Sequence, residues 1–179
     1  MGARKNAGVD EAVLECAYSL FAEQGVEVTS LSDIASACGI SKGTLYYYYP
    51  SRENLLSLCA ETCVRYMGDA ILSWAETLTQ ESTAESICKG LAEVFSFEHE
   101  DVRLMLSLFR CSNIRIRQLM EGALAQWRIM LEVGALKLSR RNSERFSTLS
   151  SVMLYTLIGI AATGGNAELA VSKLLSIMG

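Results

Sequence analysis

Lys42, Gly43 and Thr44, followed after Leu45 by four consecutive tyrosines, are the residues of this chain best suited to act on a partner. A cation, a position without a side chain, a hydroxyl and several phenols suit hydrogen bonding to phosphates and base edges. On a helix with Leu45 set at 0°, Tyr49 falls at about 40°, Tyr48 at about −60°, Tyr47 at about 200° and Gly43 at about 160°. Leu45 and Tyr49 therefore share an inner face, while Tyr47, Gly43 and Thr44 share an outer one. Tyr46 and Tyr48 flank the boundary. This scatter argues against one aromatic core cluster.

These residues need helices to position them. Val9 to Gln24 reads as a first helix, with Val13, Ala17, Leu20 and Phe21 on one face, Val9 and Cys16 at its edge, and Gly25 as its stop. "TSLSDIASACG" is a short second helix in which Ser30 and Asp33 have capping-box spacing and Gly39 closes the end. "ISKGTLYYYY" follows after a tight turn, and Pro50, the only proline in the chain, ends it. Ser51 can cap a fourth helix running through Trp74. Further helices are expected near 82–98, with Ser82 and Glu85 in capping-box spacing, and near 100–111, 113–138, 144–163 and 166–178. "TGGN" breaks the last two apart.

The 179 residues, half of them hydrophobic, carry a net charge of −4, so no global basic signal announces nucleic acid or an anionic membrane. The amino terminus lacks the apolar core of a signal peptide. The uncharged run Phe146 to Ala167 has a continuous apolar part of about a dozen residues, short of the ~20 that a spanning helix needs. A buried helix and a chain without membrane contact are the expectation. The six scattered cysteines read as reduced core thiols of a cytoplasmic protein. Cys59 and Cys63 share a helix face, but one histidine in the chain leaves a zinc site dependent on Cys88 or Cys111 converging from elsewhere. Ordinary packing is the simpler reading, and His99 reads as a surface or capping residue. No Gly-rich phosphate loop, nucleophile elbow or second histidine supports an enzyme, so neither catalysis, metal nor cofactor is expected.

From Val9 to about Leu56 the sequence resembles the DNA-binding domain of the TetR (tetracycline-repressor-like) family of bacterial transcriptional regulators. "AYSLFAEQG" is similar to the end of that family's first helix, and "TSLSDIASACGISKGTLYYYYPSRENLL" to its helix-turn-helix signature. The resemblance implies an all-α chain: a three-helix helix-turn-helix domain over residues 1–52 and a helical ligand-binding and dimerisation domain over 53–179. It implies that Lys42, Gly43 and Thr44 approach base edges, that Tyr46 and Tyr47 touch bases or phosphates, and that Tyr48 touches a phosphate. Arg52 takes the place of a usual lysine as a phosphate clamp, and Thr29 and Ser30 match a phosphate-contacting position. One departure stands out. Residues 1–55 hold four basic side chains against seven acidic ones, a net of −3.

The resemblance also implies a homodimer bound to a double-stranded operator and released by a small-molecule ligand. "SVMLYTLIGIAATGG" supports the dimer independently, being apolar nearly all round. Val152, Tyr155, Gly159, Ala162 and Leu174 are the candidate interface residues. Candidate pocket residues are Cys59, Cys63, Met67, Trp74, Phe95, Met105, Phe109 and Trp127. The competing reading is a helical interaction module whose helix-turn-helix no longer binds DNA.

Overall fold

The computed structural model describes residues 7–138, 143–144, 151–152 and 154–159, and among these it is all-α, with no strand. Its helices are α1 (Ala7–Gln24), α2 (Leu31–Ala37), α3 (Lys42–Tyr48), α4 (Arg52–Glu76), α5 (Ala84–Val94), α6 (Glu100–Phe109) and α7 (Ile114–Ala135). Backbone at 151–152 and 154–159 is also helical. The expected break at "TGGN" and the helix at 166–178 lie outside the described residues. No helix among the described residues is long and apolar enough to cross a membrane.

The first three helices end where local chemistry says they should. α1 buries Val13, Ala17 and Phe21, leaves Leu20 half-buried, and stops at Gly25, whose φ of 96° suits glycine. Ser30 and Asp33 form the expected capping box on α2. Ser41 then caps α3 by accepting from the Thr44 amide at 3.1 Å, and Ser51 caps α4 from the Asn54 amide at 3.1 Å. Tyr49 is buried on the Leu45 side as expected, yet it is not helical. The following Pro50 pushes it to φ −127°, ψ 101°, so it is the C-cap of α3 rather than its last turn.

Beyond α4 the starts shift slightly. α5 is capped by Thr83, whose hydroxyl accepts from the Ser86 amide at 3.1 Å, and not by Ser82. Ser82 is engaged one turn earlier, accepting from the Thr79 amide at 2.9 Å in the preceding loop. Asn113 caps α7. α4, the longest helix, is the spine: it packs against α1, α5, α6 and α7, while α1 also packs directly on α6. The buried side chains form one continuous apolar core. The expected domain boundary at residue 52 thus falls on the first residue of the helix that joins both halves.

Candidate nucleic-acid interface

α2 and α3 pack on each other through a turn at Gly39, whose φ is 66°. Leu45 is fully buried there, and it is the only buried residue within α3. Lys42, Gly43 and Thr44 are all exposed. The Thr44 hydroxyl lies 2.9 Å from that of Ser41, which steadies the first turn. A Cβ built on Gly43 would meet only Ser41 Oγ, at an ordinary 3.7 Å, so nothing inside the folded chain demands a glycine at that position. Tyr46 is 52% exposed and Tyr47 55%. Tyr46 is therefore as open as Tyr47 rather than at the rim, because a seven-residue helix packed chiefly on α2 leaves much of its circumference uncovered. Tyr48 is half-buried against the core, and its ring stands edge-on to that of Tyr47 with centroids 5.2 Å apart.

Two expected phosphate contacts point the wrong way. Thr29 is 1% exposed and donates its hydroxyl to the Gly25 carbonyl at 2.8 Å, so its side chain is spent inside the α1–α2 loop. Arg52 is half-buried and also turned inward. Its Nε donates to the Thr29 carbonyl at 2.8 Å, Nη2 donates to the Val26 carbonyl, and the guanidinium lies 5.7 Å from the centroid of the Phe21 ring. The loop presents two carbonyl dipoles to the start of α4, and charge-assisted bonds to both hold the guanidinium fork there. Arg52 is thus engaged by the chain's own loop. Ser30 remains exposed, with its hydroxyl donating to the Asp33 carboxylate at 2.6 Å as part of the cap. That bond holds the Asp33 carboxyl below its usual range.

Residues 13–59 match the family described as bacterial regulatory proteins, tetR family. That span contains α2, the turn and α3 in full. Over this span the chain is similar to the TetR family. Among curated relatives, the transcriptional regulator YuxN of Bacillus subtilis is 47% identical over 47 residues, covering 26% of this chain and 16% of that protein. The biofilm operon negative transcriptional regulator IcaR of Staphylococcus epidermidis is 35% identical over 60 residues, covering 34% of this chain and 32% of that one. The chain thus spans well under two thirds of either relative. The fold is similar over nearly the whole length to two solved structures. A protein from Saccharomonospora viridis crystallised with choline has a TM-score of 0.76 at 18% identity, covering 96% of this chain and 97% of that one. A transcriptional regulator from Aquifex aeolicus has a TM-score of 0.69 at 22% identity, covering 96% and 100%.

The helix-turn-helix region is tied to the rest of the chain by bonds that sequence reasoning missed. The Tyr18 hydroxyl donates to the Asp101 carboxylate, and burial drives that phenol's pKa far up. Ser107 Oγ accepts from the Val26 amide at 2.8 Å, and the Glu27 carboxylate accepts from the Ser112 amide at 2.6 Å. The Ser112 amide holds the Glu27 carboxyl below its usual range. These partners stand 81 to 85 residues apart, a separation at which no local pattern reveals them.

The candidate pocket residues Cys59, Cys63, Met67, Trp74, Phe95, Met105 and Trp127 are buried in the continuous core, with Phe109 half-buried against it. An open groove of about 530 Å³ lies elsewhere, between α1, α4 and α6, and shares none of them. Burial pushes the Cys59 and Cys63 thiols up to about 12, as suits packed, protonated sulfur. No cluster of His, Cys, Asp and Glu that could hold a metal ion occurs among the described residues. His99 is exposed at the N-cap of α6 without a side-chain cap bond, and its Nε2 lies 3.4 Å from Glu93. Of the candidate interface residues, Val152 and Tyr155 are exposed, and a Cβ on Gly159 would meet nothing within 4 Å. Ala162 and Leu174 lie outside the described residues.

Proposed function

We propose that the chain is a dimeric, ligand-responsive DNA-binding transcriptional regulator. In this reading it is a cytoplasmic repressor that a small-molecule inducer releases from a palindromic operator. The observation that carries the reading is the outer face of α3: Lys42, Gly43, Thr44, Tyr46 and Tyr47 are all exposed on a helix whose one fully buried residue is Leu45. A glycine that the fold does not require favours close approach by an outside surface such as a groove wall. Ser30 and Tyr48 stand beside this face, placed for backbone contacts. Two copies bring two such helices to a spacing of about 34 Å, one turn of duplex. The exposed Val152 and Tyr155, with Gly159, support a dimer through that helix. IcaR is described as a negative regulator and the Saccharomonospora viridis protein was solved with choline, which favours repression and ligand response here. The inducer acts by binding better to the conformer whose recognition helices are wrongly spaced. No catalytic step and no cofactor enter this reading.

With Arg52 turned inward, Lys42 carries most of the cationic attraction that the described part of this domain can offer. Footprinting on the chain's own upstream DNA at low salt should show protection over a palindrome. Lys42→Ala and Tyr47→Ala should each weaken it roughly tenfold. Tyr46→Phe and Tyr48→Phe should weaken it without unfolding the domain. No protection at low salt, or protection unchanged in both alanine variants, rules the reading out. The net of −3 over residues 1–55 favours a second reading, a helical interaction module with a silent helix-turn-helix. A filter-binding salt titration separates the two, since a module gives no log-linear slope at any salt concentration.

A further inference from the structure

We propose that Cys16 and Cys38 are a redox-responsive thiol pair that closes into a disulfide across the helix-turn-helix region, tying α1 to the turn before α3. Both are free and half-buried, whereas Cys59, Cys63 and Cys111 are buried. Cys16 lies on α1 beside the buried Ala17, and α2 packs on that helix. Cys38 is the C-cap of α2, and its thiol meets that of Cys16 in a side-chain hydrogen bond. The packing of two helices thus brings together thiols that the sequence shows only as scattered. A partly accessible thiol beside a second one is the arrangement in which oxidation stops at a reversible disulfide. In a reducing compartment such a pair is transient and sensing rather than structural.

The oxidant is a small-molecule disulfide of the glutathione disulfide class. The Cys16 thiol loses its proton to solvent, and its sulfur attacks one sulfur of the oxidant. The oxidant's sulfur–sulfur bond breaks, and one glutathione leaves as a thiolate that takes up a proton. Cys38 then releases its proton and attacks the Cys16 sulfur, expelling the second glutathione. Two protein thiols become one disulfide, and one glutathione disulfide becomes two thiols. The surroundings of Cys38 set this order. Burial first, and then the bond to Cys16, push its thiol up to about 12, so it keeps its proton until Cys16 is capped. Closing the bond draws the Cys38 end of α2 towards α1. Gly39 follows directly at φ 66°, and Ser41 caps α3 just beyond it, so α3 is carried with the bridge. The consequence for DNA rests on the regulator reading above; bridge formation itself does not.

Peptide mapping of the full chain after exposure to glutathione disulfide, without DNA, tests the pair. Cleavage after Glu15, Glu23 and Glu27 puts the two cysteines on separate peptides. The bridge then appears as a crosslinked pair that dithiothreitol separates. It should form roughly tenfold faster, or more, in the native chain than in urea, where no packing holds the sulfurs together. Cys38→Ser should stop at a glutathione adduct on Cys16, and Cys16→Ser should abolish the bridge. Alanine at either position repeats the test where serine unfolds the chain. Separate alkylation of both thiols after oxidation overturns the proposal, as does bridging no faster than in urea. With operator DNA added, oxidation should weaken the footprint about tenfold and dithiothreitol should restore it. A bridge that leaves affinity unchanged overturns the coupling to α3. A chain that never binds DNA leaves the mapping result standing, and the reverse holds too.

Discussion

Arg52 shows how far a residue's position in a motif can be trusted. Its place at the start of α4 was legible from the spacing after Pro50, as were the inward Leu45 and the outward Gly43, Thr44 and Tyr47. Its direction was not. A helical wheel fixes where a Cα sits, but a long side chain goes wherever its hydrogen bonds are best met, and here two carbonyls of the α1–α2 loop meet them. Thr29 was misread for the same reason, since the loop geometry after Gly25 offers its hydroxyl a carbonyl at 2.8 Å. The consequence is a stability role. Arg52→Ala removes two charge-assisted bonds and a contact with Phe21, leaves both carbonyls in a half-buried site, and should cost about 2–3 kcal/mol. Arg52→Lys should recover less than half, because an ammonium cannot reproduce the fork that spans both carbonyls. Urea unfolding followed by circular dichroism measures this. If the midpoint does not move while DNA affinity falls, Arg52 is a phosphate clamp after all.

At the scale of elements, the starts of α2 to α5 are decided by which hydroxyl is left over for the job. The boundaries of α2, α3 and α4 could be read because Ser30 has Asp33 at capping-box spacing, Gly39 marks the turn and Pro50 separates α3 from α4. The start of α5 could not, since "STAES" offers both Ser82 and Thr83 at the right distance from a first-turn amide. The loop before it settles the matter by using Ser82 to close its own turn on Thr79. Thr83→Ala should therefore destabilise the chain by about 1 kcal/mol, the usual cost of losing an N-cap. Ser82→Ala should fall within about 0.5 kcal/mol of the parent, as an exposed turn residue does. Paired urea midpoints decide it, and equal losses in the two variants would place the cap one residue earlier.

Among the described residues, the helix-turn-helix region is fastened to α6 at both ends of that helix. Tyr18 holds Asp101 near the start of α6, while Ser107 and the Ser112 amide hold the loop at Val26 and Glu27 near its end. Trp74 and Trp127, the only tryptophans, both lie in the body, so their fluorescence reports the body while circular dichroism reports every helix. In the parent chain the two probes should give coincident unfolding curves. Glu27→Ala combined with Ser107→Ala removes two ties worth about 1 kcal/mol each, and the dichroism curve should then begin to fall at lower urea than the fluorescence curve. The Glu27 tie also has a pH signature. Its carboxyl is held below the usual value by the Ser112 amide, so its contribution is present above the unfolded pKa of about 4.3 and is lost as pH falls through the lower folded value. Acidifying the parent through that window should part the two curves as the double variant does at neutral pH, and a Glu27→Gln chain should lose most of that sensitivity. Coincident curves in the double variant would mean that apolar packing of α1 on α6, and not these ties, joins the DNA-binding domain to the groove beside it.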